Sequence, residues 1–155
     1  MRARHRLAVC LRDAARLEEA ITEYEAMLTL NPGDNQGVRY ELLPAYLALN
    51  RLEPARALLT KYKEAEFNAV FAWCQVLERL LSGDPAAAKE ALAAARKQNP
   101  HVQVYIKGHR ELPRRLPDGY SPGTKEEAIC FAEALRATWE KHPAALKWLA
   151  TQRIR

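Results

Sequence analysis

RLEEAITEYEAMLTLNPGDNQGVRYELLPAYLALNRLEPA, residues 16–55, decides how this chain is read. Its opening, Arg16-Leu17-Glu18-Glu19-Ala20, returns 35 residues later as Arg51-Leu52-Glu53-Pro54-Ala55. Between the two lies one helical pattern, a stop and a second helical pattern. Over 17–30, Leu17, Ala20, Tyr24 and Leu28 share a stripe at helical spacing. Glu18 and Glu19 fall in the first turn, where the helix dipole favours acid. Asn31-Pro32-Gly33 stops that helix, because proline cannot continue the ladder and glycine tolerates the reversal. Asp34 or Asn35 then caps a helix over 35–49 that carries Leu42, Leu43 and Tyr46. A period of this size predicts stacked helical hairpins.

Outward from this stretch the pattern continues. Before it, 2–14 places Leu7, Ala8 and Leu11 at helical spacing. After it, 52–64 carries Ala55, Leu58, Leu59 and Tyr62, and 67–82 offers Phe67, Val70, Phe71, Cys74, Leu77 and Leu81 for burial. Ser82-Gly83-Asp84-Pro85 breaks the chain and restarts it, with Asp84 as N-cap and Pro85 at the first helical position. The alanine-rich helix 85–98 ends at Asn99-Pro100 as the earlier one ended at Asn31-Pro32. The two prolines are 68 residues apart, twice 34. A short helix at 101–107 precedes a loop, 108–123, holding Pro113, Pro117 and Pro122; loops this long in a domain are often functional. Thr124 with Glu127 forms a capping-box signature. Helix 125–140 then aligns Ala128, Phe131, Ala132, Leu135 and Trp139, and Pro143 starts a last helix with Leu146, Trp148 and Leu149. The expected organisation is three hairpins over 1–107, a Pro-rich loop over 108–123 and helices capping the stack over 124–155, all one domain.

Composition narrows the function classes. The 155 residues are 48% hydrophobic and 28% charged, an ordinary globular balance. No apolar run approaches the roughly 18 residues a membrane-spanning helix needs, and Arg12 and Asp13 interrupt the segment behind the basic start, which makes a poor signal peptide. Cys10, Cys74 and Cys130 are isolated and odd in number, so neither a disulfide framework nor a zinc ribbon is implied, and a reducing cytoplasm is the expected location. The net charge of +5 concentrates at Arg2, Arg4, Arg6, Arg12 and Arg16, in the loop Lys107–Arg115, and at Lys147, Arg153 and Arg155.

The hairpin spacing resembles the tetratricopeptide repeat (TPR), a 34-residue helix–turn–helix with small and aromatic residues at set places. The first pair offers Leu7, Ala8, Leu11, Ala20, Tyr24 and Pro32, the second Leu42, Tyr46, Ala55 and Leu59, and the third Gly83, Ala88, Leu92, Ala95 and Pro100. Leu43 departs from the pattern where a small residue is usual. The segment Asn31–Arg39, followed by Leu42-Leu43-Pro44, also resembles an NPxDNxGxR stretch in a bacterial TPR-like group. Longer relatives of that group carry a cysteine-rich zinc motif whose cysteines this chain lacks. The resemblance implies an all-α, right-handed α-solenoid that binds a protein or peptide segment in its concave groove, without catalysis and without a cofactor or metal. The groove positions it implies are His5, Val9 and Arg12 on the first pair, Tyr40, Pro44 and Leu47 on the second, and Trp73, Leu77 and Leu80 on the third. The lysine and asparagine set that clamps a terminal carboxylate in some family members is missing at His5, Val9 and Tyr40.

Two features stand outside that implication. Pro44 removes a donor to the Tyr40 carbonyl, leaving that oxygen for Arg39 or a ligand. Lys107, His109, Arg110, Arg114 and Arg115 form a basic loop, and with the basic termini they supply the alternative of a nucleic-acid-binding helical repeat. A hydrolytic role for His109 would require a polar pocket around it, and no activated nucleophile or phosphate-cradling glycine loop accompanies it in sequence.

Overall fold

A computed structural model describes residues 1–153; Ile154 and Arg155, the latter counted among the terminal cations, lie outside the described residues. Within them the chain is helical throughout: α1 (Arg2–Asp13), α2 (Leu17–Leu30), α3 (Arg39–Ala48), α4 (Leu52–Tyr62), α5 (Ala69–Leu81), α6 (Pro85–Gln98), α7 (Val102–Ile106), α8 (Lys125–Glu140) and α9 (Pro143–Thr151). Consecutive helices pair as α1–α2, α3–α4 and α5–α6, and α3 also packs on α5. α8 lies against both α3 and α5, and α9 follows it back across α5. One core runs through all of this, with Tyr24, Phe71, Trp73, Tyr105 and Trp139 inaccessible or nearly so.

The three hairpin turns repeat in phase at the level of individual hydrogen bonds. Arg16 N–H donates to the Leu11 carbonyl (2.8 Å), Arg51 to Tyr46 (2.8 Å) and Asp84 to Arg79 (3.0 Å). Within each turn the preceding residue, Ala15, Asn50 or Gly83, is left-handed, with φ of 60°, 56° and 78°. It donates to Arg12, Leu47 or Leu80 in turn. This is the Schellman closure, which satisfies carbonyls a helix end leaves open. A fourth copy follows α7, where His109 N–H donates to Val104 (2.9 Å) and Gly108 takes φ of 69°. The short α7 thus ends as the first helix of each hairpin does. The chain then runs into the Pro-rich loop rather than a second helix.

Helix starts follow their caps. Asn68 accepts from Val70 and Phe71 at the head of α5, Asp84 from Ala87 at α6, and Thr124 from Glu127 at α8. Three expectations need correction. The third helix begins at Arg39, because residues 31–38 form successive turns instead of a helical first turn. Asp34 does cap it, but from a distance: its buried carboxylate accepts from the Val38 N–H (2.8 Å), the Arg39 N–H (3.0 Å) and the Arg39 guanidinium (2.8 Å). Phe67 lies before the cap of α5 and is 65% exposed, and Leu7 is 48% exposed on the outer side of α1. Neither joins the core. Nor does Arg39 reach the Tyr40 carbonyl; its guanidinium bonds Asp34, Glu64 and the Tyr40 hydroxyl instead.

A Cβ at Gly83 would meet nothing within 4 Å, so its substitution strains the backbone alone. Gly83→Ala is expected to lower the unfolding free energy by about 1 kcal/mol, and Ala15→Gly to raise it by up to as much, measured by urea denaturation.

Candidate functional site

The inner wall of the stack is built by α1, α3 and α5, and α8 occupies most of it. Along α3 the two helices run side by side in matched order. Tyr40 faces Phe131 with ring centroids 6.0 Å apart. The Pro44 carbonyl accepts from the Thr138 hydroxyl (3.1 Å), and the Leu47 carbonyl lies 2.6 Å from His142 Nε2. Thr138 therefore uses a carbonyl on the very residue whose ring interrupts the α3 ladder. Pro44, Leu47, Trp73 and Leu77, expected to face a partner, are buried in the core that α8 completes. As an open partner surface this part of the wall is corrected to a helix-binding seat already filled by the chain itself. An apolar face of this width is covered in cis at lower cost than by an outside molecule, since no association entropy is lost.

A fully buried carboxylate fixes the start of α8. Glu127 Oε1 accepts from the Ala69 N–H (2.9 Å), and Oε2 from the Gly123 N–H (2.7 Å) and Asn99 Nδ2 (2.9 Å). Gln98 Nε2 adds a bond at 3.1 Å. These donors belong to the head of α5, the end of α6 and the loop before α8. Half of the expected capping box is thus redirected: Thr124 accepts from Glu127, but Glu127 reaches Gly123 and distant elements. Asn99, read in sequence as a stop signal, also donates to the Thr124 carbonyl (2.9 Å).

Tyr40 belongs to a second cluster. Its hydroxyl donates to Glu64 Oε2 (2.6 Å), Arg39 stacks 4.4 Å from its ring centroid, and Phe71 meets it edge-on. Burial, and then the bond to Glu64, push its phenol up to about 12. Tyr120 closes the far side of Phe131 at 5.2 Å, which pins the Pro-rich loop onto α8.

The α1 part of the wall stays open. His5 Nε2 lies 2.9 Å from Glu41 Oε1, and Arg12 (3.4 Å) and Tyr24 (2.5 Å) donate to Oε2. Sequence reasoning misses Glu41; the signal for it is its place beside Tyr40 on a helix where Tyr40 and Pro44 are expected groove residues. Val9 is half-buried beside this cluster. At the opposite end of the wall, Leu80 borders a cleft of about 350 Å³ with Leu81, Pro143, Ala144 and Trp148 as apolar walls and Lys141 at its rim. A smaller cleft of about 190 Å³ lies by His109, and no serine, threonine or cysteine lines it. In the basic loop, His109, Arg110, Arg114 and Arg115 are exposed and Lys107 is half-buried; Arg115 pairs with Asp118 at 3.4 Å.

Among the described residues no group of three His, Cys, Asp or Glu side chains could hold a metal ion. All three cysteines are free, and burial raises the Cys74 thiol well above its ordinary value. No described helix is long and apolar enough to cross a membrane. Compared with known proteins, residues 11–73 match the model of a tetratricopeptide repeat family. No curated protein and no solved structure matches the chain.

Replacing Glu127 by glutamine turns an NH2 donor toward the donors that surround it, and should cost about 1–3 kcal/mol in unfolding free energy. Amide exchange should then accelerate more in 125–140 than in 85–98. Because Tyr40 titrates near 12 when folded and near 10 when unfolded, its contribution to stability is complete below about pH 10. That contribution is lost as pH rises through 12, so Tyr40→Phe should show a shallower alkaline loss of stability than the wild type.

Proposed function

We propose that the protein, whose residues 11–73 match the model of a tetratricopeptide repeat family, is a non-enzymatic interaction module, a scaffold or adaptor, that binds a segment of another protein. The observation carrying this reading is the apolar cleft at the Leu80 end of the inner wall. α8 packs on α3 and α5, and from His142-Pro143 α9 returns across α5. The corner this makes leaves Trp148 half-buried rather than enclosed. A half-buried tryptophan beside two leucines suits one apolar anchor side chain, the kind of contact that dominates interface energies. Lys141 at the rim favours an acidic residue next to that anchor. His5, Val9 and Arg12 form the other open stretch of wall, where Glu41 already takes the cationic groups. Three free thiols suit a reducing compartment, so the cytoplasm is the proposed location.

A second reading, a polyanion on the basic loop, is favoured by the exposure of Arg110 and Arg114 beside Arg115, with Asp118 the acid paired there. Affinity for RNA or DNA that falls steeply with salt would support it. An absence of binding at low salt would remove it.

Leu80→Glu and Trp148→Ala each sit at the cleft, away from the Glu127 bracket. Partners captured by the intact chain and identified by mass spectrometry should be lost or reduced about tenfold with either variant, while helical content is kept. Retention of the same partners by both variants argues against the cleft.

A further inference from the structure

The smaller cleft lies where the end of α7 meets α8 and α9, away from the inner wall, and its chemistry differs from that of the Leu80 cleft. Gly108 is left-handed there, and a Cβ on it would come within 3.3 Å of an Arg136 terminal nitrogen. The missing side chain therefore lets the guanidinium lie close against Gly108 at the cleft. Arg136 donates through Nε to Glu140 (2.9 Å). Its two terminal nitrogens have no bond among the described residues, nor do the side chains of Lys107 and His109. Two α7 carbonyls, those of Tyr105 and Val104, are occupied, accepting from Gly108 and His109. These donors thus line a space of about 190 Å³ whose apolar lining comes from Ile106, Leu146 and Ala150.

Charge decides what fits. Lys107 and Arg136 against Glu140 leave one net positive charge on the lining. A phosphate dianion or a polyphosphate backbone would be under-neutralised and would meet the Glu140 carboxylate. A single carboxylate matches the charge, and the forked guanidinium matches its geometry. The apolar side calls for a short hydrocarbon body next to that carboxylate. We propose that this cleft binds a carboxylate carried on a short apolar body, gripped by Arg136 and Lys107. Such a group occurs on a free small acid and at the C-terminus of a peptide ending in an aliphatic residue.

The test titrates the intact chain, by amide NMR, with N-acetyl-leucine, its neutral amide, a peptide ending in free leucine, inorganic phosphate and a short single-stranded RNA. N-acetyl-leucine should give saturable shifts at Gly108, His109 and Ala150, and the neutral amide should bind about tenfold more weakly or less. Tighter binding of the peptide than of N-acetyl-leucine identifies a chain terminus as the source; binding of N-acetyl-leucine alone identifies a free acid. Arg136→Gln and Lys107→Gln, both at solvent-accessible positions, should each weaken the acid while leaving shifts in α5 and α6 unchanged. The proposal is overturned if acid and amide bind equally, if neither variant weakens the acid, or if phosphate or RNA moves the same resonances at lower concentration. Absence of shifts at the solubility limit of N-acetyl-leucine overturns it as well.

Discussion

A carboxylate with no ion-pair partner among the described residues, Glu127, holds the first turn of α8 to the head of α5, the end of α6 and the preceding loop. Four neutral donors share the charge of one buried side chain. Such a group is tolerable only when its hydrogen bonds are made, because desolvation would otherwise outweigh them. The bonds are made only if the three elements and the loop are all in place. The seating of α8, and with it the closing of the inner wall, depends on this arrangement.

From that seat the remaining architecture follows. With its start fixed, α8 runs beside α3, and Thr138 and His142 reach the carbonyls of Pro44 and Leu47. Pro44, which weakens α3 as an isolated helix, becomes a point of attachment. The same packing buries Trp139, and the cleft at Leu80 and Trp148 lies between the end of α5 and the start of α9. Polar clusters of another kind align the hairpins themselves. Asp34 and Glu64 hold Arg39 and Tyr40 between the turn before α3 and the end of α4, and Glu41 ties α1 and α2 to α3. Helix faces that are largely aliphatic slide easily; directional bonds at their edges set the register.

Cis occupation of the inner wall changes what binding can mean for this chain. α3 and α5 supply one face of the repeats, and α8 of the same chain packs on it. What remains is peripheral and small: an apolar corner at one end, a self-neutralised polar patch at the other, and an amphipathic cleft behind the cap. Surfaces of this size favour single anchor groups over long extended ligands.

The hairpins themselves were readable from residues alone. Proline stops and the caps at Asp84 and Thr124 are local, since each depends on groups within one turn of helix, and the period is the recurrence of such local signals. The long turn before α3 was less legible, because Asp34 acts on N–H groups four and five residues ahead only after the backbone has turned. Ala15 and Asn50 hid two left-handed closures that a glycine would have announced, as Gly83 and Gly108 do. Tertiary structure alone decided that Trp73 and Leu77 are buried within their own chain. An apolar stripe specifies that it must be covered but carries no label for what covers it. Glu127 and Ala69, 58 residues apart, show the same limit: hairpin spacing is a property of neighbouring residues, whereas the partner of a buried face or charge is chosen by whichever distant segment folding brings within reach.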